Sequence, residues 1–247
     1  MAKGGKARQT GRKTQGRPGG GRAASGAQKS PRPVTKRAPA PAPEPPALDL
    51  PSVLRLGVIP GATPGKWVDT WQARFPRVPV EIVPLEVRDQ REALRDAAVD
   101  LALVRLPIDR EGLSVIPLYD EVPVVVAAKD SHLMAADELT LADLEGEIVI
   151  VPADDVLSLD VPGAVAPRFA PPETTADAVA VAATGVGAVI VPMSLARALH
   201  RKDADHRVLT DGPTSSVALA WVSERTTDAV DLFVGIVRGR TQNSSRA

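Results

Sequence analysis

The stretch 54–71, LRLGVIPGATPGKWVDTW, restricts the fold more than any other part of the chain. Leu54, Leu56, Val58 and Ile59 alternate and branch as in a buried strand. Pro60, Gly61, Pro64 and Gly65 then punctuate the backbone. Beyond them Trp67, Trp71 and Phe75 recur four apart, on one face of a helix, and read as core rather than as a ligand platform. Thr63 followed by Pro64 predicts an N-cap and a first helical residue. A strand thus delivers the chain to a helix N-terminus. In open α/β sheets ligands sit beyond the carboxyl ends of the strands. Free N–H groups and the helix dipole there favour an anion. Lys66 falls in the first turn, where a cation opposes the dipole. It reads either as sharing a carboxylate ligand with those N–H groups or as a lysine in water.

The same alternation continues. Strand patterns cover 53–59, 80–86, 101–106, 113–118, 122–127, 147–151, 186–191, 207–209 and 217–222, with a strand end at 168–170. Helical patterns cover 64–75, 88–98, 141–144 behind Thr140, 174–184, 192–200 and 227–237. Strand and helix alternating from the start predict a parallel sheet with right-handed crossovers. The unbroken valines within 122–127 fit a strand covered on both faces. Thr174, Thr175 and Asp177 make a capping-box-like start, and Gly185 is placed just past the end of that helix.

Composition excludes several function classes. The chain has no cysteine, which removes disulfides and thiolate metal sites. His132, His200 and His206 lack metal-ligand spacing. No apolar run approaches the roughly 18 residues of a membrane span. Aromatics are only 3%, so the core must be built from Val, Ala and Leu. GATPGKW lacks the first glycine and the Ser/Thr of a phosphate loop. There is no G-x-S-x-G, and Ser131 beside His132 has no definable orienting acid. Asp154 and Asp155 are adjacent carboxylates that would point to opposite faces in a strand, and so make a poor acid/base pair. Gly185-Val-Gly187 reads as a helix stop and tight strand entry, not a dinucleotide fingerprint.

A formal net charge of zero hides a split: residues 1–50 hold eleven Lys or Arg against two acids, leaving the rest of the chain acidic by the same margin. The eleven are Lys3, Lys6, Arg8, Arg12, Lys13, Arg17, Arg22, Lys29, Arg32, Lys36 and Arg37. With almost nothing to bury, residues 1–38 are expected to be disordered, and the proline-rich 39–46 to be a stiff spacer. Contact with nucleic acid through this tail would be non-specific and salt-sensitive, without aromatic stacking. The alternative is a tail that only solvates the acidic body. No secretory pattern follows the first charges, so the expected location is cytoplasmic.

This order of elements resembles the effector-binding domain of LysR-type transcription regulators. The similar segments are LRLGVIPGATP, WQARFPRVPVEIVPLE, LRDAAVDLALVR, LYDEVPVVVAAKDSHLM and LADLEGEIVIV, then TTADAVAVAATGVGAVIVP and VALAWVSERTTDAVDLFVGIVR. Together they cover nearly all of 53–240. The resemblance implies an α/β, two-lobed type 2 periplasmic-binding-protein fold with two crossing strands. Lobe I would be 53–127 with 218–240, lobe II 128–217, and the tail 1–50. The implied ligand site gathers Gly61, Ala62, Thr63 and Pro64, then Arg105 and Leu106, Thr174 and Thr175, and Pro192, Met193 and Ser194. Arg105 also reads, ahead of ligation, as a structural ion pair with Asp109 or Asp100. The expected protein is a non-enzymatic homodimeric sensor of a small anionic metabolite, with no cofactor or metal. The alternative is a stand-alone solute-binding or scaffold protein with no nucleic-acid role. The family's N-terminal winged helix-turn-helix finds no match in residues 1–50.

Overall fold

The computed structural model describes residues 48–239. The expectations for residues 1–47 and 240–247 therefore lie outside the described residues. The elements run β1 Leu54–Val58, α1 Gly65–Arg74, β2 Val80–Pro84, α2 Gln90–Arg95, β3 Leu101–Arg105, β4 Leu113–Glu121, β5 Pro123–Ala128, β6 Glu138–Leu139, α3 Thr175–Ala182, β7 Val189–Pro192, α4 Met193–Ala198, β8 Ala204–Leu209, β9 Ser215–Val222 and α5 Asp228–Val237. Two sheets result, ordered β2-β1-β3-β9-β4 and β6-β8-β5-β7. In the first, β1 pairs parallel with β2 and β3, while β9 is antiparallel to β3 and β4. The fold is the expected mixed α/β architecture with two lobes.

The period-two pattern sorts the side chains of each central strand. Leu101 and Leu103 face a core shared with α1 and α5, while Ala102 and Val104 face a second core with Leu94. In the second sheet Val124 and Val126 pack under α3 and α4, and Val125 and Ala127 pack against Leu133, Leu144 and Leu209. That two-sided burial is what the valine run in β5 anticipated. Trp71 is fully buried, tilted against Phe75 and Phe233 at 4.6 and 5.9 Å, and its indole N–H donates to the Val78 carbonyl at 2.7 Å.

The chain crosses between sheets twice, from β4 to β5 and from β8 to β9. The expected boundary put residues 123–127 in the first lobe. The structure instead pairs β5 with β7 and β8 in the second sheet. Both placements bury the same valines, so burial alone does not choose between them. At the crossing itself Glu121 and Ser215 stand opposite each other in the β4–β9 register.

Several local expectations shift. The cap of α1 is Pro64, in the helical region and without a side-chain bond, so Thr63 does not cap it. The pattern over 88–98 resolves into a 3₁₀ turn, Val87–Asp89, followed by the short α2. Ala97, at φ 57°, ends the run. Residues 147–151 hold only the isolated bridges Ile148 to Val165 and Val149 to Ala188, and 168–170 forms no strand. Gly187 is required there because a Cβ would lie 2.4 Å from the Ile148 carbonyl oxygen.

Candidate functional site

The carboxyl ends of β1, β2 and β3 deliver Pro60 and Gly61, then Glu86, Val87 and Arg88, then Arg105, to one wall of a cavity of about 660 Å³. The opposite wall is Ala153 to Val156, Glu173 to Ala176 at the start of α3, and Leu195, Ala198 and Leu199 around α4. The volume suits a small organic molecule, and the position follows the rule for open α/β sheets.

Arg105 is the least solvated of the lining side chains, 1% exposed. Its backbone is clamped by Gln90, whose amide nitrogen donates to the Arg105 carbonyl and whose amide oxygen accepts from the Arg105 N–H, both at 2.9 Å. Its Nη1 donates to Glu121 Oε2 at 2.9 Å and to Ser215 Oγ at 2.6 Å. Glu121, itself nearly buried, also accepts from Ser194 Oγ at 2.9 Å. Arg105 is therefore not paired with Asp109 or Asp100; those carboxylates pair with Arg91 at 2.7 Å and Arg55 at 3.3 Å. The Nε and Nη2 of Arg105 have no hydrogen-bond partner. A buried donor without an acceptor is costly, and more so when charged. Burial, reinforced by the Glu121 charge and partly offset by Arg105, holds the nearby Tyr119 phenol above its ordinary 10.0.

The threonines expected to offer hydroxyls to a ligand use them within the protein. Thr174 caps α3, accepting from the Asp177 N–H at 3.1 Å and donating to Asp177 Oδ2 at 2.7 Å. Thr175 donates to Asp154 Oδ1 at 2.8 Å. Asp155 accepts from the Leu157 and Ser158 N–H groups at 3.1 and 2.8 Å. Asp154 and Asp155 lie off any strand, and both line the cavity.

Of the expected ligand residues, Gly61, Arg105, Thr174 and Thr175 line the cavity. Ala62 is buried in the α1–α5 core, Thr63 and Lys66 are exposed, and Pro64 caps α1. Leu106 packs in the Leu94 core, while Pro192 and Met193 belong to the second sheet and its helix layer. Ser194 meets the site only through Glu121 and by proximity to Gly61. Gly61 has φ +84°, and a Cβ on it would fall 2.4 Å from Ser194 Oγ, so the loop after β1 touches the first turn of α4 here. Sequence reasoning missed Glu86, Arg88, Glu121 and Glu173. Glu121, an acid between the alternating β4 pattern and the valine run, was the one signal available. Among the described residues no group of His, Cys, Asp and Glu could hold a metal ion, and no helix is long and apolar enough to cross a membrane.

The two-sheet α/β body, with two crossing connections and a ligand-sized cavity at its strand ends, has the architecture of a two-lobed binding domain. The chain matches the LysR substrate binding domain over residues 50–242 and belongs to that family, which is one of regulatory domains rather than enzymes. It is similar to the Hca operon transcriptional activator HcaR of Escherichia coli strain K12, 26% identical over 200 residues that cover 76% of this chain and 67% of that protein. It is 39% identical over 83 residues to a probable hydrogen peroxide-inducible genes activator of Mycobacterium xenopi, covering 32% of this chain and 43% of the relative. Among solved structures it is similar to the BenM effector binding domain with its effector benzoate, at TM-score 0.62 and 16% identity over 78% of this chain and 92% of that one. It is also similar to the reduced OxyR regulatory domain of Pseudomonas aeruginosa, at TM-score 0.58 and 17% identity over 75% and 96% of the two chains. At these identities the structural likeness concerns the fold.

Proposed function

We propose that this domain senses a small organic carboxylate, seated in the cavity at the end of β3, and passes its presence to a transcriptional output. The observation that carries the reading is Arg105: a buried residue of the cavity wall whose Nε and Nη2, closed off from solvent, lack acceptors. Those two N–H groups form one edge of a planar fork that matches a carboxylate. Benzoate, the effector named for BenM, supports that ligand chemistry. Ligand-driven change would act through the two crossing connections, since a ligand shifts an equilibrium only by its differential affinity for the two states. With no cysteine in the chain, a thiol switch is outside its chemistry.

The basic residues between Lys3 and Arg37 would contact nucleic acid without sequence preference, in a cytoplasmic homodimer. Duplex binding by the full chain should then fall steeply with salt and vanish on removal of residues 1–46; equal binding by both forms refutes that part. For the ligand, thermal unfolding is followed with benzoate and a panel of small organic acids. An acid present at about a hundredfold its Kd adds roughly 2.7 kcal/mol. Arg105→Lys keeps a charge beside Glu121 but loses the fork, and should lose that rise. An undiminished rise in Arg105→Lys removes the assignment.

A further inference from the structure

We infer that Ser194 is the bolt of a gate in front of Arg105, and that the conformation described here is the shut one. Arg105 belongs to the cavity wall, yet its Nε and Nη2 are closed off from solvent. The wall beside it is built from both lobes. Pro60 and Gly61 follow β1 in the first lobe, and Ser194 and Leu195 lie in the first turn of α4 in the second. The two sides meet closely: a Cβ on Gly61 would fall 2.4 Å from Ser194 Oγ and 3.2 Å from Leu195 Cδ2. The same hydroxyl reaches Glu121, the last residue of β4. Glu121 Oε2 accepts from Ser194 Oγ and from Arg105 Nη1, both at 2.9 Å, and Ser215 Oγ accepts from that Nη1 at 2.6 Å. Arg105, Glu121 and Ser215 all lie on strands of the first sheet. Ser194 is therefore the member that ties the second lobe to the other three.

Two opposing tendencies act on this gate. Buried donors without acceptors are costly, so Nε and Nη2 favour any opening that brings water to them. The Ser194 hydroxyl, bonded to a charged carboxylate, favours the shut form. A hydrogen bond to a charged group and an unmade buried bond are of similar size, so neither tendency overwhelms the other. The shut form then exchanges with one in which α4 has moved off the loop after β1, about the two crossing connections. Removing the Ser194 hydroxyl takes away the bolt and leaves the opening tendency intact. Removing the Ser215 hydroxyl loosens Arg105 within the first lobe and leaves the bolt in place. The two serines share one network and differ in the lobe they belong to, and the test turns on that difference.

The test uses no ligand, so its failure is distinct from a failure of the carboxylate reading. The full chain, Ser194→Ala and Ser215→Ala are treated with phenylglyoxal, a guanidinium reagent, and the labelling rate of each arginine is read from peptide masses. In Ser194→Ala, Arg105 should label about ten to a hundred times faster than in the parent, the equilibrium equivalent of one hydrogen bond to a charged group, while in Ser215→Ala it should stay within about twofold. Two arginines bonded inside a single lobe serve as references. Arg91 pairs with Asp109 at 2.7 Å, and Arg207 donates to the Ala136 and Met134 carbonyls at 2.6 Å. Both should label at parent rates in either variant. An Arg105 rate that Ser194→Ala leaves unchanged, or that the two variants raise alike, overturns the gate. A rise at Arg91 and Arg207 alongside Arg105 shows general loosening and overturns it too.

Discussion

Replacing Glu121 by Gln removes the countercharge of a guanidinium that is 1% exposed, while keeping the side-chain shape and an oxygen for Ser194. Three contacts meet at this point: Arg105 to Glu121 at 2.9 Å, Arg105 to Ser215 at 2.6 Å and Ser194 to Glu121 at 2.9 Å. Breaking a buried pair by removing one partner costs about 3–5 kcal/mol, because the remaining charge is left uncompensated. For a domain of this size each kcal/mol lowers Tm by roughly 2–4 °C. Glu121→Gln should therefore melt about 6–20 °C below the parent chain on these two scales. Arg105→Met, which strands the Glu121 carboxylate, should fall by a similar amount. The double variant Arg105→Met with Glu121→Gln leaves no charge buried and should lose less than the sum of the two single losses, by the coupling of about 0.5–3 kcal/mol expected for groups in contact. Thermal and urea unfolding of the four proteins closes the cycle. Strict additivity, or a Glu121→Gln melting point within about 2 °C of the parent where several kcal/mol were at stake, would show that the pair is screened by water and that the crossing is not held this way.

Three further outcomes are expected. Gly61→Ala forces a Cβ at φ +84° and 2.4 Å from Ser194 Oγ, and should cost about 2 kcal/mol in urea unfolding, since left-handed backbone alone costs a side-chain-bearing residue roughly 1–2. Trp71→Phe keeps an aromatic ring beside Phe233 but orphans the Val78 carbonyl, and a loss of about 1–3 kcal/mol should appear in the same assay. The Thr140 N–H and hydroxyl, both donating to Asp143, hold its carboxyl below the ordinary 3.8. A folded pKa below the unfolded one stabilises above the unfolded value and is lost as pH falls through the folded value. Asp143→Asn should therefore be less stable than the parent at pH 7 and converge with it well below pH 3.8, as urea midpoints across pH would record.

Local structure was legible where local physics decides it. Thr174 was read as a helix start, and its hydroxyl accepts from the Asp177 N–H. Gly185, read as the residue past that helix, sits at φ +84°. The valine run was read as a two-sided strand and is buried throughout. Reading failed where two chemistries compete for one side chain. Thr63 could cap α1, but Pro64 takes the cap position in the helical region. Lys66 and Thr63, set beside a helix tip by sequence, point to the outside of the molecule rather than into the cavity.

The sequence by itself determined the element types, the apolar faces, the absence of thiol chemistry and the family resemblance, because periodicity and composition are properties of neighbouring residues. Only the tertiary structure decided which sheet receives β5 and what Arg105 touches. Its partners Glu121 and Ser215 lie 16 and 110 residues away along the chain. Asp109 and Asp100, nearer in sequence, were claimed by Arg91 and Arg55. Charges have no periodicity to announce their partners. They pair with whatever the folded backbone brings within reach, and here two crossing strands bring Glu121 and Ser215 face to face.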